Sequence, residues 1–209
     1  MRDSQSDHDT QNETSQCCES TSTTPSQTRA ADHWITDEDV LTAPLPAEVQ
    51  SALGGFVGSG SIDTLGEWAS EVRRLTGGGG IDVDHLCHAD GETDHWGTAG
   101  DERYHFQCFY DAVILAAVED RPVDIHTVSP GGTDVEARAV GTDDLSVSPE
   151  GAVFSFGIRA DAHERSGGDP SLEDGYQAIC AYGKAVPDRD AYEAWAGEVP
   201  AATVAVPLA

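Results

Sequence analysis

The sequence predicts an α+β fold, in which an antiparallel or mixed β-sheet core carries flanking helices and is preceded by a short helical region. Two observations favour this class. Several segments alternate apolar and polar residues and are joined by glycine- and proline-containing turns, which is typical of antiparallel strands. The segments with helical spacing stand apart from these strands and do not alternate with them one by one, as they would in a parallel sheet.

Residues 1–32 are predicted to form a disordered tail, because serine, threonine, glutamine and aspartate dominate and apolar residues are almost absent. Cys17 and Cys18 lie in this tail. We interpret them as two incidental thiols. The alternative is a flexible vicinal dithiol that captures a soft metal ion.

Residues 33–80 are predicted to form a small N-terminal helical region. Its first helix covers residues 46–56 and has Val49, Leu53 and Phe56 on one face. This region lacks the basic patch that would make it a reader of DNA.

The second helix of this region has a clear start and a clear end. Thr64 and Glu67 form a capping-box pattern, with a hydroxyl at the N-cap and an acid three residues later. Gly77 begins a glycine run, up to residue 80, that ends the helix and is interpreted as a flexible linker. Between these signals, apolar residues recur at helical spacing: Leu65, Trp68, Val72 and Leu75.

Residues 81–209 are predicted to form the main domain. A polar stretch from 81 to 105 contains turns at 90–91 and 99–101 between short strands, and an apolar helix follows from about 107 to 118. The elements predicted after that helix are a hairpin of strands 123–128 and 135–140, a strand at 152–158, a polar loop at 164–174, a segment at 176–182 that contains Cys180, a helix at 190–196 with Tyr192 and Trp195 facing inward, and a final strand at 203–206.

The composition indicates an acidic protein of one domain with a small appendage. Of the 209 residues, 38 are acidic and 11 are basic, and the net charge is −27. Such a surface repels phosphates and anionic lipids, so neither nucleic acid nor membrane is an expected partner. Because salt screens this self-repulsion, the composition also predicts a halophilic source.

The expected location is the cytoplasm. No apolar run approaches the roughly 20 residues that a membrane span needs, and the first residues, M-R-D-S-Q-S-D-H-D, lack the apolar core of a signal peptide. The five cysteines are odd in number and irregularly spaced, so free thiols or metal ligands are expected rather than a disulfide framework.

The start of the apolar helix at 107–118 carries two chemically useful side chains. Cys108 and Asp111 are three residues apart and therefore neighbours on a helix surface. A helix N-terminus favours a thiolate, while the apolar wall of Phe106, Phe109 and Tyr110 is expected to raise the pKa of Asp111. Such a pair suits a soft ligand with a proton carrier beside it. The structural alternative is a small buried cysteine and an acid that satisfies the helix dipole.

Two other constellations are weaker. The stretch from 85 to 105 is rich in histidine and contains Cys87 and His88, but its spacing fits no zinc pattern, so a solvated loop is expected, with a soft-metal role for Cys87 as the alternative. A cysteine-protease site would need a histidine near Cys108. His126 and His163 are candidates by composition only.

Taken in order, the segments resemble the alkylmercury lyase (organomercurial lyase) family. C-F-Y-D-A-V-I-L-A-A-V-E-D-R-P-V-D-I, from Cys108, is similar to the catalytic helix of that family and the strand after it. The hairpin, the strand A-V-F-S-F-G-I, the segment Y-Q-A-I-C-A-Y and the helix D-A-Y-E-A-W-A follow in the family's order. A further family cysteine is replaced around Ser129. The resemblance covers residues 81–206, and the acidic composition adds the expectation of a haloarchaeal-type member.

The resemblance implies an activity and a site. The expected activity is protonolysis of the carbon–mercury bond, which gives a hydrocarbon and Hg(II). Cys108 and Cys180 would be the mercury-binding thiols and Asp111 the proton carrier, with no organic cofactor. The expected partners are organomercurial small molecules as substrates, and small thiols or a mercuric reductase as acceptors of Hg(II). The alternative function is a non-catalytic thiol-based protein on the same scaffold that binds mercury, copper or zinc.

Overall fold

The computed structural model describes residues 33–36, 39–119, 121–141, 144–166 and 169–208. The predicted tail, with Cys17 and Cys18, lies outside the described residues. The helices in these ranges are α1 (Ala47–Phe56), α2 (Leu65–Leu75), α3 (Phe109–Val118), α4 (Ala162–Ser166), α5 (Leu172–Ile179) and α6 (Arg189–Ala196). The strands are β1 (Trp96–Ala99), β2 (Glu102–His105), β3 (Val123–Val128), β4 (Asp134–Val140), β5 (Asp144–Ser148), β6 (Val153–Arg159), β7 (Lys184–Val186) and β8 (Ala201–Pro207).

The two predicted N-terminal helices are confirmed. In α2 the Thr64 hydroxyl accepts a hydrogen bond from the backbone N–H of Glu67 at 3.2 Å, as the capping pattern predicts. The Glu67 carboxylate reaches one residue further back than a capping box requires and accepts from the N–H of Asp63 at 2.7 Å. The helix start is therefore specified by local side chains.

The larger sheet is antiparallel, with the strand order β2-β1-β3-β4-β5. It contains the predicted hairpin, β3 and β4, and the predicted turn at 99–101 between β1 and β2. Its edge strand β5 was not predicted. The segment has only two apolar residues, Leu145 and Val147, so its alternation is short and weak.

The smaller sheet is a separate antiparallel unit, with the strand order β7-β6-β8. It confirms the predicted strands near 152–158 and 203–206. The predicted α+β class with antiparallel pairing is thus confirmed, and the structure divides the sheet core into two sheets.

The predicted polar loop at 164–174 is wrong in part, because α4 and the start of α5 lie there. The polar composition of this stretch hides a strong helix start. Ser171 is the N-cap of α5, and its side chain and that of Asp174 each accept a hydrogen bond from the other residue's backbone N–H.

Two of the three hydrophobic cores among the described residues join these helices to the sheets. The core on the larger sheet includes the buried face of α3 through Phe109 and Leu115. The core on the smaller sheet joins it to α1, α2 and α5. There Trp68 of α2 lies between Phe56 and Phe156, with ring centroids 6.3 Å from each. As a result, the start of α3, the end of α5 and one face of α2 converge on one place.

Candidate functional site

The start of α3 carries Cys108 and Asp111. The helix begins at Phe109, two residues later than predicted, and Cys108 is its N-cap with an extended backbone at φ −149° and ψ 166°. The prediction that Cys108 lies inside the first turn is therefore wrong, because the chain up to Gln107 is held by another segment: the N–H of Gln107 donates to the carbonyl of Cys87 at 3.1 Å.

The two side chains nevertheless meet. The Cys108 thiol donates to Oδ2 of Asp111 over 3.1 Å, because an N-cap side chain and one in the first turn lie on the same side of a helix end. Oδ1 of Asp111 accepts from the backbone N–H of Cys87 at 3.1 Å. Both residues are buried: Cys108 is 0% exposed and Asp111 is 1% exposed. The carboxyl group therefore keeps one oxygen on the backbone and turns the other toward the thiols.

Cys180 reaches the same place from a different element. It follows the last residue of α5 and opens the 3₁₀ turn Cys180–Tyr182. Its sulfur lies 3.9 Å from Oδ2 of Asp111. The two sulfurs and the carboxylate oxygen all lie within 4.8 Å of one another, and this is the one group of three or more potential metal ligands among the residues that the structure describes.

A glycine keeps the space beside Cys108 open. A Cβ added at Gly183 would lie 3.6 Å from the Cys108 sulfur and 3.4 Å from Cβ of Tyr110. The backbone there has φ −77°, so conformation alone does not require glycine. Gly183 was missed in the sequence, since no local turn signal sets it apart from the chain's other glycines.

Burial controls the acidity of the carboxyl group. Removal from water raises the pKa of Asp111 above its ordinary value, against the hydrogen bonds from Cys108 and from the backbone of Cys87, which lower it. The predicted direction is confirmed. Tyr110, also removed from water and close to Asp111, has its pKa raised to about 12 and so stays neutral.

Cys87 is the unexpected member of the site. The expectation of a solvated loop is wrong for this residue, because its backbone contacts both Gln107 and Asp111 and its side chain is partly buried beside Cys180. A side-chain hydrogen bond with Cys180 lowers the pKa of Cys87. The pKa of Cys180 lies above the ordinary thiol range, first through its hydrogen bond with Cys108 and then through the one with Cys87. From the sequence, a role of Cys87 as a soft-metal ligand was only the alternative interpretation.

The histidines of the 85–105 stretch have local partners. His88 bonds the carbonyl of Val83 at 2.7 Å, and His95 bonds the Thr127 hydroxyl at 2.5 Å. The ring of His105 accepts from a backbone N–H at 3.1 Å, and His85 pairs with Asp82 at 2.7 Å. The described histidines thus have structural partners and do not join the group of potential metal ligands.

The cysteine-protease interpretation is not supported by the neighbours of Cys108. His126 stacks on Trp96 with ring centroids 5.0 Å apart. His163 lies on α4 against Gly55. The partner of the Cys108 thiol is Asp111 instead.

An apolar pocket of about 590 Å³, counting the part that opens to solvent, adjoins the group. Asp111 and Cys180 lie at one side of it, and Tyr176 of α5 lines it. The remaining lining residues are mostly aliphatic or aromatic: Trp68, Val72, Leu75, Ile81, Leu86, Tyr110, Ile114, Leu172, Gly175 and Ile179. The site therefore combines soft thiols and a carboxyl group of raised pKa with space for an apolar group of a ligand.

The comparison with family models agrees with the sequence resemblance. The model of the alkylmercury lyase family, MerB, matches residues 89–209, which is more than half of the chain. Among solved structures, the chain is similar to the crystal structure of the mercury-bound form of MerB2, with 13% identity over 75% of each chain and a TM-score of 0.41. Comparison with curated protein sequences gives no match.

Proposed function

The chain belongs to the alkylmercury lyase family and is an organomercurial lyase, and on that premise we propose that Cys108, Asp111 and Cys180 carry out its cleavage of the carbon–mercury bond. One observation carries this proposal. Two thiols and a buried carboxyl group lie within 4.8 Å of one another beside an apolar pocket. Soft thiolates are the ligands that mercury prefers.

In the first step the substrate R–Hg–X exchanges X for a thiolate. The Cys108 thiol can pass its proton to Oδ2 of Asp111, 3.1 Å away, as its sulfur bonds mercury. The Cys180 thiol, whose sulfur lies 3.9 Å from the same oxygen, then adds to mercury as a thiolate, and its proton leaves with X⁻ as HX. Mercury would be held between two electron-rich donors, which polarises the carbon–mercury bond toward carbon.

In the second step Asp111 protonates that carbon. Its raised pKa helps here, because burial favours the protonated form that must last from proton uptake until transfer to carbon. The Cys87 N–H fixes the unused oxygen Oδ1, so that Oδ2 keeps facing the thiols and the substrate. The bond breaks, R–H leaves, and Hg(II) stays on Cys108 and Cys180.

The hydrocarbon part of the substrate would occupy the apolar pocket. Trp68 and Val72 of α2 form one wall of it and Ile179 of α5 another. We therefore assign residues 81–209 as the catalytic domain and the helical region 33–80 as a cover that completes its substrate pocket.

The charge of the chain supports a proposal about where the enzyme works. None of the helices in the described ranges has the length and apolar character that a bilayer crossing requires. We propose a cytoplasmic, haloarchaeal-type enzyme that works in high salt, on the strength of its net charge of −27. Small thiols or a mercuric reductase would accept its Hg(II).

The test is turnover of phenylmercury with excess thiol in high salt, with benzene measured by gas chromatography. Benzene release by the folded protein supports the proposal. Folded protein that binds mercury without releasing benzene overturns it and selects the non-catalytic binding function for mercury, copper or zinc.

The roles of the two thiols need variants. Cys108→Ser and Cys180→Ser should each abolish turnover, because either change removes one of the two thiols that lie around Oδ2 of Asp111, the oxygen proposed to deliver the proton. The matched control is the pair Cys17→Ser and Cys18→Ser, which removes two thiols outside the proposed site. Full turnover in either site variant would refute its assignment.

A further inference from the structure

A third thiol adjoins the proposed mercury site without belonging to the group of three. Cys87 is held in place by its backbone: its N–H donates to Oδ1 of Asp111 and its carbonyl accepts from Gln107, each at 3.1 Å. Its side chain lies beside that of Cys180. It is not within 4.8 Å of the whole group formed by Cys108, Asp111 and Cys180.

The three sulfurs differ in their access to solvent. Cys108 is 0% exposed, whereas Cys180 and Cys87 are both partly exposed. Mercury bound to Cys108 and Cys180 therefore has one ligand that an external thiol cannot approach. For Hg(II) to leave, a ligand on the solvent side must replace Cys108. Cys87 lies next to Cys180, the ligand that would stay bound.

A short antiparallel pairing of backbone segments holds Cys87. Residues 87–89 run antiparallel to 105–107, with a backbone bond from Ala89 to His105 at 2.9 Å beside the bond from Gln107 to Cys87. This pairing ties the thiol directly to the chain that enters α3. Cys87 also lies just before the family match begins at residue 89, so the match does not assign it.

We infer that Cys87 is a mercury ligand that takes Hg(II) from Cys108 while Cys180 holds it, and so moves the product toward solvent. This inference rests on the proposed roles of Cys108 and Cys180. It adds a second two-thiol site, Cys180 with Cys87, to the one at which the carbon–mercury bond breaks.

The exchange is balanced. The Cys87 thiol loses its proton as its sulfur bonds mercury, and the bond between mercury and the Cys108 sulfur breaks with its electron pair on that sulfur. Cys108 takes up the proton. Mercury remains Hg(II) with two thiolate ligands, and no electron is transferred.

The test uses Hg(II) alone, so that it does not depend on lyase turnover. All proteins are full-length and carry Cys17→Ser and Cys18→Ser, which removes the tail thiols as competing ligands. Mercury affinity is measured by competition with a small dithiol, and the number of sulfur ligands is measured by X-ray absorption at the mercury edge.

The decisive comparison starts from Cys108→Ser. This variant should still bind Hg(II) through two sulfurs, those of Cys180 and Cys87. Adding Cys87→Ala should leave one sulfur and weaken binding by about 10²–10⁴-fold, since the second thiol no longer acts within the same molecule. Adding Ser129→Ala instead, a matched change at a buried site on the hairpin turn, should leave the two-sulfur site intact.

The result that overturns the inference is one sulfur ligand in Cys108→Ser, or no further loss of affinity on adding Cys87→Ala. Either result would stand even if the protein cleaves phenylmercury normally. Conversely, a two-sulfur site in Cys108→Ser together with no benzene release from the parent protein would reject the proposed function and leave the Cys87 site in place.

Discussion

The carboxyl group of Asp111 divides its two oxygens between backbone and thiols. Oδ1 accepts from the N–H of Cys87, and Oδ2 faces Cys108 at 3.1 Å and Cys180 at 3.9 Å. An acid in this position can exchange a proton with either sulfur without turning. At this scale the proposed site is one carboxyl group with two thiols around one of its oxygens.

Replacing Asp111 by asparagine separates binding from bond cleavage. Asp111→Asn keeps the shape and should retain Hg(II), but it cannot supply the proton, so hydrocarbon release should fall by about 10²–10⁴-fold. Benzene release from phenylmercury and Hg(II) retention after desalting measure the two effects. Asp190→Asn, which removes an exposed first-turn acid of α6, is the control. Equal losses in both variants would contradict the role of Asp111.

The raised pKa of Asp111 also predicts a pH dependence of stability. The folded-state pKa lies above the ordinary value of 3.8, so the carboxyl group's contribution is fully present below that value and is lost as pH rises through the folded pKa. The free energy of unfolding of the parent, relative to Asp111→Asn, should therefore fall as pH rises from below 3.8 toward neutrality. Denaturant titrations of both proteins measure it, and a difference that stays constant or rises would refute the prediction.

A substitution at Gly183 tests whether the open space beside the Cys108 sulfur is needed for turnover. Gly183→Ala places a methyl group 3.6 Å from the Cys108 sulfur, where mercury is proposed to bind, so kcat/KM should fall, by up to about 10²-fold if the reacting atoms are displaced by an ångström. Gly197→Ala is a matched control, since Gly197 also has negative φ and a nearest contact of 3.4 Å, but it is the C-cap of α6 and the atoms that its added Cβ would meet are backbone oxygens of that helix. Similar kinetics in the two variants would show that Gly183 is not needed for access.

At the scale of elements, α2, α3 and α5 build the site in different ways. The start of α3 presents Cys108 and Asp111, the end of α5 presents Cys180, and α2 contributes apolar wall residues. Cys108 is the N-cap of α3 and Cys180 is the C-cap of α5, so both thiols lie at helix ends. The side of a helix suits the wall, since it offers a continuous apolar face.

The pocket wall provided by α2 should affect how strongly large and small organomercurials bind. Val72→Ala removes two methyl groups from the pocket and should raise KM for phenylmercury more than for methylmercury, by about 10-fold, because a hydrophobic contact of this size is worth about 1–3 kcal/mol. Val140→Ala, at a residue 41% exposed on β4, controls for the substitution itself. An equal rise in KM for both substrates would argue against a wall that senses the hydrocarbon.

At the scale of the whole molecule, charge decides the working conditions. The chain carries 38 acidic and 11 basic residues, so folding brings like charges together and salt should relieve their repulsion. The unfolding midpoint, followed by circular dichroism, should rise steeply with KCl and then flatten near about 1 M, where the screening length has fallen to about 3 Å. A midpoint that does not respond to KCl would contradict a high-salt adaptation.

Much of the local structure could be predicted from the sequence because it is specified by neighbouring residues. The α2 start at Thr64, the β3–β4 hairpin and the helix with Tyr192 inward all follow from patterns a few residues long. The same reasoning failed where the pattern was short or polar. Strand β5 has two apolar residues, and α4 and the start of α5 are hidden in a polar stretch.

For the site too, some features could be predicted from the sequence and others needed the tertiary structure. The sequence alone determined that a thiol and a carboxyl group three residues apart begin an apolar helix, because chemistry and spacing are local properties. Only the tertiary structure decided that Cys180 and Cys87 reach that helix start and that α2 walls the pocket. These contacts join segments far apart in the chain, and their geometry depends on how two sheets and their helices pack, which no short stretch of residues specifies.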